Sequence, residues 1–268
     1  MFQASPSYDL DDKLDELRIN GYVVFEQFIE HSKIDRIRAA FMPLLEHVVE
    51  REEASPSDKE HGEVLNGCGR RNHVRRYTCH VPWIEPFADP DIYEHPVLLE
   101  WLERYWETDD FHLTCYHSNT PYPGSTFQHW HRDGGVHKLV PHVGLETCPH
   151  FGVKFPLVDT TEENGSFEVL PGTQYLARPD MEGRYDEILT KGAYPTRRLN
   201  LRKGDMWIQD PRALHRGTPN GATEPRPELV LCYSLPWISN TRQMDVADAD
   251  WERLSDRGER MLSRSRRH

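Results

Sequence analysis

Apolar side chains at Leu10, Leu14 and Leu17 recur at the three- and four-residue spacing of one helical face, behind an acidic first turn and ahead of Gly21. That spacing predicts a helix over residues 9–20, its dipole opposed by the acids and its end set by the glycine. Tyr22, Val23, Val24 and Phe25 then form a short continuous apolar run, the signature of a buried strand. Helical spacing returns over 32–50 through Ile34, Ile37, Phe41, Leu44 and Leu45, with Pro43 arguing against an unbroken helix. Residues 51–69 are polar and read as a loop, and 96–106 carry a further helical stripe of Leu98, Leu99, Leu102 and Trp106.

After Phe111 the pattern changes to short β-type runs at 113–117, around 128–135, and at 152–158, 166–170, 206–209 and 229–235, punctuated by Asn164-Gly165, Pro171-Gly172, Lys203-Gly204 and Asn220-Gly221. Short strands at this spacing with turn chemistry at their edges predict a sandwich or barrel. The expectation is a mainly β protein in which helices of the N-terminal part, 9–106, pack on one sheet of a β-core at about 111–238. A charged surface helix is expected at 248–267, and the whole of 1–268 reads as a single domain, with no internal repeat and no clear linker.

Composition narrows the partners. With 44 acidic residues against 32 Lys and Arg, the formal charge of -12 argues against nucleic acid, because phosphate neutralisation needs a basic face. Five scattered cysteines without a CxxC pair suggest neither a disulfide scaffold nor a zinc ribbon. No window approaches a membrane span and the first residues lack a basic stretch followed by an apolar one, so a cytoplasmic protein with no membrane partner is expected. Oligomeric state has no sequence signal.

The candidate chemistry lies in Gln128-His129-Trp130-His131-Arg132-Asp133-Gly134-Gly135. In an extended segment His131 and Asp133 share a face while Arg132 points away. With the distant His215 they make a 2-His-1-carboxylate set, which leaves coordination positions open and suits non-haem Fe(II) acting on dioxygen. His129 has the same strand parity as His131 and Asp133, and three readings stay open: a ligand in a cupin-type HxH pair, a neighbour of substrate or of the ligands, or packing. His112, His117, His137, His142 and His150 have no companion signal and read as loop or satisfied core histidines.

Four features together resemble the phytanoyl-CoA dioxygenase family of Fe(II)/2-oxoglutarate oxygenases: the His131-Arg132-Asp133 motif, the segment Asn164-Gly165-Ser166-Phe167-Glu168-Val169-Leu170-Pro171-Gly172-Thr173, the turn Lys203-Gly204-Asp205, and His215-Arg216-Gly217-Thr218-Pro219-Asn220 followed by Arg226. Within that family the chain is similar to antibiotic-tailoring members such as the kanamycin B dioxygenase, through 119–125 and 212–226. The resemblance covers roughly 113–237. It implies a double-stranded β-helix, the cupin-like jelly roll, with His131, Asp133 and His215 on iron, and 2-oxoglutarate as cosubstrate with its far carboxylate on Arg226. A guanidinium suits that role through its planar bidentate geometry. The same resemblance implies that Asn119 and Thr218 help to hold the cosubstrate. It also implies hydroxylation of a small molecule with dioxygen, releasing succinate and CO2; halogenation is not expected, because related halogenases have a small residue where this chain has Asp133.

The remaining features have two readings each. Arg70, Arg71, Arg75 and Arg76 form a basic cluster expected to be a solvated face, against the alternative of an anion site at the entrance. His129, Trp130 and Tyr116 are candidate substrate contacts, and Tyr122, Trp83 and Trp237 are further aromatics that line a pocket or fill a core. Alternatives from other classes are a metal-dependent isomerase or hydrolase of cupin type and a non-catalytic binding protein on the same fold.

Overall fold

The computed structural model describes residues 7–54, 70–133, 147–176, 184–192, 194–238 and 244–268, with backbone alone for 70–73 and 190. The loop proposed for 51–69 therefore falls largely outside the described residues, as do Gly134, Gly135, His137, His142, Cys68 and the side chains of Arg70 and Arg71. Helix α1 (Leu10–Asn20) is capped by the Asp9 carboxylate, which accepts from the amides of Asp11 and Asp12, and ends at Gly21 with φ 76°. The left-handed turn suits a residue without Cβ. Strand β1 (Tyr22–Phe25) follows, and then α2 (His31–Ala54), which continues through Pro43. Its buried stripe of Ile34, Ile37, Phe41, Leu45 and Val48 outweighs the backbone hydrogen bond that the proline removes. Two short strands, β2 (Arg70–His73) and β3 (Arg76–Thr78), lead to a one-turn helix α3 (Pro90–Tyr93) and to α4 (Pro96–Trp106), which matches its apolar stripe.

The β-core contains β4 (His112–Pro121), β5 (His150–Pro156), β6 (Phe167–Val169), β7 (Arg197–Leu199), β8 (Met206–Gln209), β9 (His215–Arg216) and β10 (Glu228–Ser234). A helix, α5 (Tyr185–Lys191), stands between β6 and β7. The strands form two antiparallel sheets, seven strands in the order β1-β8-β5-β10-β4-β3-β2 and three in the order β7-β6-β9. This is the double-stranded β-helix anticipated above, closed on one side by a large sheet and on the other by a small one. Residues 128–133, the described part of the run expected around 128–135, do not form a regular strand: among them a single antiparallel bridge, His131 with His215, takes its place. The charged helix expected at 248–267 is likewise broken into α6 (Asp248–Trp251) and α7 (Asp256–Leu262), and the tail pairs as β12 (Arg266–Arg267) with β11 (Asp245–Val246). Met261 and Leu262 are buried in the main core, so this segment is anchored rather than lying on the surface.

Strand parity divides the large sheet. Val23 and Phe25, Phe151, Val153 and Phe155, Met206 and Ile208, and Leu229, Leu231 and Tyr233 face α1, α2 and α4 in one continuous core. The alternate residues face the small sheet: Trp207 packs with Val169, Leu199, Leu201 and Ala213. The polar members of that inward face, Asn119, Lys154, Gln209 and Glu228, are thereby held inside the molecule. No helix among the described residues is long and apolar enough to cross a membrane, and the described cysteines, Cys79, Cys115, Cys148 and Cys232, are buried and outside any disulfide.

Candidate metal and anion site

His131 and His215 are brought together by their backbones. The His131 amide donates to the His215 carbonyl at 3.0 Å and the His215 amide returns the bond at 3.1 Å. Two residues after His131 the Asp133 amide donates to Pro211 O at 2.9 Å, and three residues before it the Gln128 amide donates to Gly217 O at 3.0 Å. The alternation read from the sequence holds: Arg132 turns away, buried, donating to Thr173 O at 2.8 Å and lying over the Tyr185 ring. The turn that carries His215 is braced from behind. Asp210 and Arg212 form a buried pair at 2.6 Å, the Asp210 amide bonds Gly21 O at 2.9 Å, and a Cβ on Gly21 would stand 2.7 Å from that of Ala213.

One ligand atom from each of His131, Asp133 and His215 lies within 4.8 Å of the others. His131 Nε2 is 3.6 Å from Asp133 Oδ1, and His215 Nε2 is 3.3 Å from Asp133 Oδ2. Each histidine places Nδ1 against the carbonyl two residues earlier, His129 O at 2.7 Å and Ala213 O at 2.8 Å. On His131 a Nδ1–H donor to that carbonyl fixes the tautomer whose Nε2 lone pair points at the carboxylate, the form a metal requires; His215 Nδ1 is shared between Ala213 O and the Gln209 side-chain amide nitrogen, 2.7 Å away. Phe167 stacks on the His215 ring at 5.1 Å and 25°. Burial and the neighbouring His215 push His131 down to about 4 against the pull of Asp133, so the ring is neutral near pH 7. Desolvation alone would raise the Asp133 carboxyl, but His215, His131 and Lys154 outweigh it and hold the group ionised.

The cluster forms one end of a cavity of about 70 Å³ lined also by Arg76, Asn119, Gln128, Lys154, Phe167, Gly217, Arg226 and Glu228. Beyond the triad the lining carries three cations and one carboxylate, and Lys154 reaches the metal residues through Gln209, whose side-chain amide meets His215. Arg226 precedes β10 on the same parity as Glu228, is 3% exposed, and has NH1 3.7 Å from Glu228 Oε2; its Nε has no hydrogen-bond partner. Arg76 is equally buried, donates to Thr218 O at 2.9 Å and also leaves Nε unpartnered. Lys154 lies between the Trp207 and Phe167 rings, 4.1 and 4.5 Å from their centres, and donates to Gln209 Oε1. Glu228 accepts from Trp207 Nε1 at 3.0 Å. Burial, with Arg226 adding and Glu228 opposing, pushes Arg76 down to about 9. Burial also lowers Lys154 and Arg226 while Glu228 opposes. A buried excess of positive charge is costly until an anion shares the space.

Several expectations need correction. Arg76 leaves the basic cluster for the cavity, whereas Arg75 remains exposed, donating to Pro123 O. The strand β3 hairpin turns only one of the two inward. Thr218 is buried, but its hydroxyl donates to Ser166 O and accepts from Arg198, and it does not line the cavity. Asn119 does line it, next to Glu228 across the β4–β10 pairing. None of the three aromatic or imidazole substrate candidates reaches it. His129 is solvent-exposed and paired with Asp186 at 2.7 Å, its parity lost because the segment is not a regular strand. Trp130 packs with Leu170, Tyr185 and Leu214. Tyr116 has the opposite parity to Asn119, faces the main core and donates to Phe87 O. Trp83 is core, Tyr122 packs against it, and Trp237 is exposed. Lys154 and Glu228 were missed, because a single charged residue inside an apolar strand carries no motif. The one available signal was their position in otherwise buried runs, where an isolated charge is uncommon.

The family model described as phytanoyl-CoA dioxygenase matches residues 17–227. Among solved structures, AviO1 from Streptomyces viridochromogenes Tue57 is similar at a TM-score of 0.60 with 18% identity, covering 88% of this chain and 99% of that one. HygX from Streptomyces hygroscopicus, solved with nickel, 2-oxoglutarate and hygromycin B bound, gives 0.60 and 14%, covering 88% and 90%. The epimerase SnoN, in complex with Fe3+, alpha ketoglutarate and nogalamycin RO, gives 0.57 and 17%, covering 84% and 83%. At these identities the likeness is one of fold.

Proposed function

Because the chain belongs to the phytanoyl-CoA dioxygenase family, we propose that it is an Fe(II)- and 2-oxoglutarate-dependent dioxygenase that hydroxylates a small molecule. In this reading His131, Asp133 and His215 hold the iron, and Arg226 binds the far carboxylate of the cosubstrate. The observation that carries it is one cavity with two complementary ends, a neutral-imidazole and carboxylate triad at one and a partnerless buried guanidinium nitrogen at the other.

The residues fit both groups. Two Nε2 lone pairs and a carboxylate make a facial set for a divalent iron that leaves positions for exogenous oxygen ligands. The keto acid is a dianion, and three buried cations, Arg226 with Arg76 and Lys154 nearby, offset its charge. When bound, iron and keto acid supply the oxidising power, with dioxygen consumed and succinate and CO2 released. The protein contributes placement. Nδ1 contacts to His129 O and Ala213 O keep both rings from turning, and the Phe167 stack restrains His215 further. Asn119 and Gln128 present amides to the same cavity.

The structural likeness to proteins named with hygromycin B and nogalamycin supports a substrate from secondary metabolism, in an antibiotic-tailoring role; in this reading 1–268 is one domain acting in the cytoplasm. SnoN is an epimerase, so the same hydrogen removal has a second outcome in which no oxygen is retained; the fate of substrate oxygen decides between them. The test is to incubate purified protein with Fe(II) and 2-oxoglutarate without oxygen, record the visible charge-transfer band, then admit oxygen and assay succinate. Band and succinate together are expected. Neither would leave the cupin-type isomerase, hydrolase or binding-protein readings instead.

A further inference from the structure

The inward face of the large sheet carries a second group of ligating side chains. Cys115 and His117 lie two residues apart on β4, and Cys232 stands directly opposite Cys115 on β10. Parity puts all three on the face that also bears Asn119 and Glu228. One ligand atom from each of the three falls within 4.8 Å of the others, and Cys115 Sγ is 3.3 Å from His117 Nδ1. Both thiols are buried, with Val230 packed against them, and His117 is half-buried.

We propose that Cys115, His117 and Cys232 form a second metal site, selective for a thiophilic d10 cation of the zinc class. Bonds of about 2.3 Å to sulfur and about 2.0–2.1 Å to nitrogen set tetrahedral ligand atoms roughly 3.5–3.8 Å apart, so atoms that lie within 4.8 Å of one another close on an ion with shifts of at most about 1 Å. Three protein donors leave a fourth position for water or a small nitrogen or sulfur donor. Two thiolates and an imidazole are soft, whereas the first centre offers imidazole and carboxylate only, so the two sites sort metals by donor chemistry. Loading requires the thiols to release protons, which the ion then compensates inside the sheet.

The proposal does not rest on the reading of the first site, and cobalt separates them. Protein reduced beforehand and held under nitrogen is titrated with Co(II), which gives a near-ultraviolet thiolate-to-metal band only where sulfur is bound. Wild type should show that band and retain two equivalents of Zn(II) per chain after gel filtration. Cys232→Ser should lose the band and keep one equivalent, with His117→Ala as a partner variant that leaves both thiols in place and weakens Zn(II) binding at this site at least tenfold. Asp133→Ala should lose the other equivalent and keep the band. Reduced wild type that retains one equivalent and shows no thiolate band would overturn the site, and so would a band that survives in a folded Cys232→Ser protein.

Discussion

The two ends of the cavity are built in opposite ways. The metal end comes from the small side of the molecule, where His131 and Asp133 sit on a segment joined to its neighbour by one antiparallel pairing and His215 on a two-residue strand. The anion end comes from the large sheet, where Lys154, Glu228 and Asn119 stand on long, continuously paired strands, with Arg226 just ahead of one and Arg76 on a short one. Donor geometry at the first end is supplied by local backbone bonds, and charge at the second by the tertiary stacking of strands far apart in the chain. A change at the metal end should therefore act on whether the centre forms at all, and one at the anion end on how strongly the cosubstrate is held.

Asp133→Ala gives the largest expected effect. Losing a hydrogen-bond partner of a ligand already costs about 10- to 100-fold in metal affinity, so losing the charged donor itself should exceed that and take succinate formation to background. Metal content after desalting and a succinate assay check it. Normal succinate production would contradict the ligand assignment. Arg226→Ala should leave metal content intact and raise the 2-oxoglutarate KM by about 10- to 100-fold, the equivalent of one charge-assisted hydrogen bond of about 1.5–3 kcal/mol. Equal loss of metal in both variants would erase the distinction between the ends.

That division also sets what was legible in the sequence. His131 and Asp133 are two residues apart, and a period-2 argument places them together without tertiary information. The segments at Asn164, Lys203 and His215 identify the family, and through it Arg226. The helices α1 and α4 follow from their stripes and caps, because local spacing decides them. Arg76, Lys154 and Glu228 are dispersed over 152 positions of chain, by numbering from 76 to 228, and only the strand order β8-β5-β10-β4-β3 brings them to one face. Arg76 was hidden further by neighbours Arg70, Arg71 and Arg75 that made it look like part of a surface charge run. His129 misled for the converse reason: its parity argument needs a regular strand, and among the described residues of the segment His131 alone forms a β-bridge.

Lys154→Met sharpens the anion end. Methionine fills the slot between Trp207 and Phe167 without the charge, so the 2-oxoglutarate KM should rise roughly fivefold, about 1 kcal/mol, and metal content should not change. The cosubstrate-free protein should be no more stable than wild type, because Gln209 Oε1 loses its donor and Glu228 and Asp133 lose a neighbouring cation. Calorimetry and steady-state kinetics read the two quantities separately. A KM that stays put would remove Lys154 from the charge balance of the site.

The smallest effect on chemistry should come from Gly165→Ala, which probes how the short strands of the small side stay in register. Gly165 has φ +86°, and a Cβ there would meet the carbonyl oxygens of Thr218 and Pro219 at 2.9 Å. Asn164 fixes the same turn, accepting from the Thr161 amide and donating to Asp159 O. The variant must either strain the left-handed turn or push back the chain that follows His215, at about 1–3 kcal/mol. The melting temperature should fall by roughly 2–10 °C for a chain of this size. Because the backbone bonds between His131 and His215 lie on the other side of Arg216 from this contact, the folded fraction should still bind iron and turn over within about twofold of wild type, a modest change against those expected at either end of the cavity. A Gly165→Ala protein that melts normally would show that the turn has room to yield, and the small side would then owe its register to the His131–His215 pairing instead.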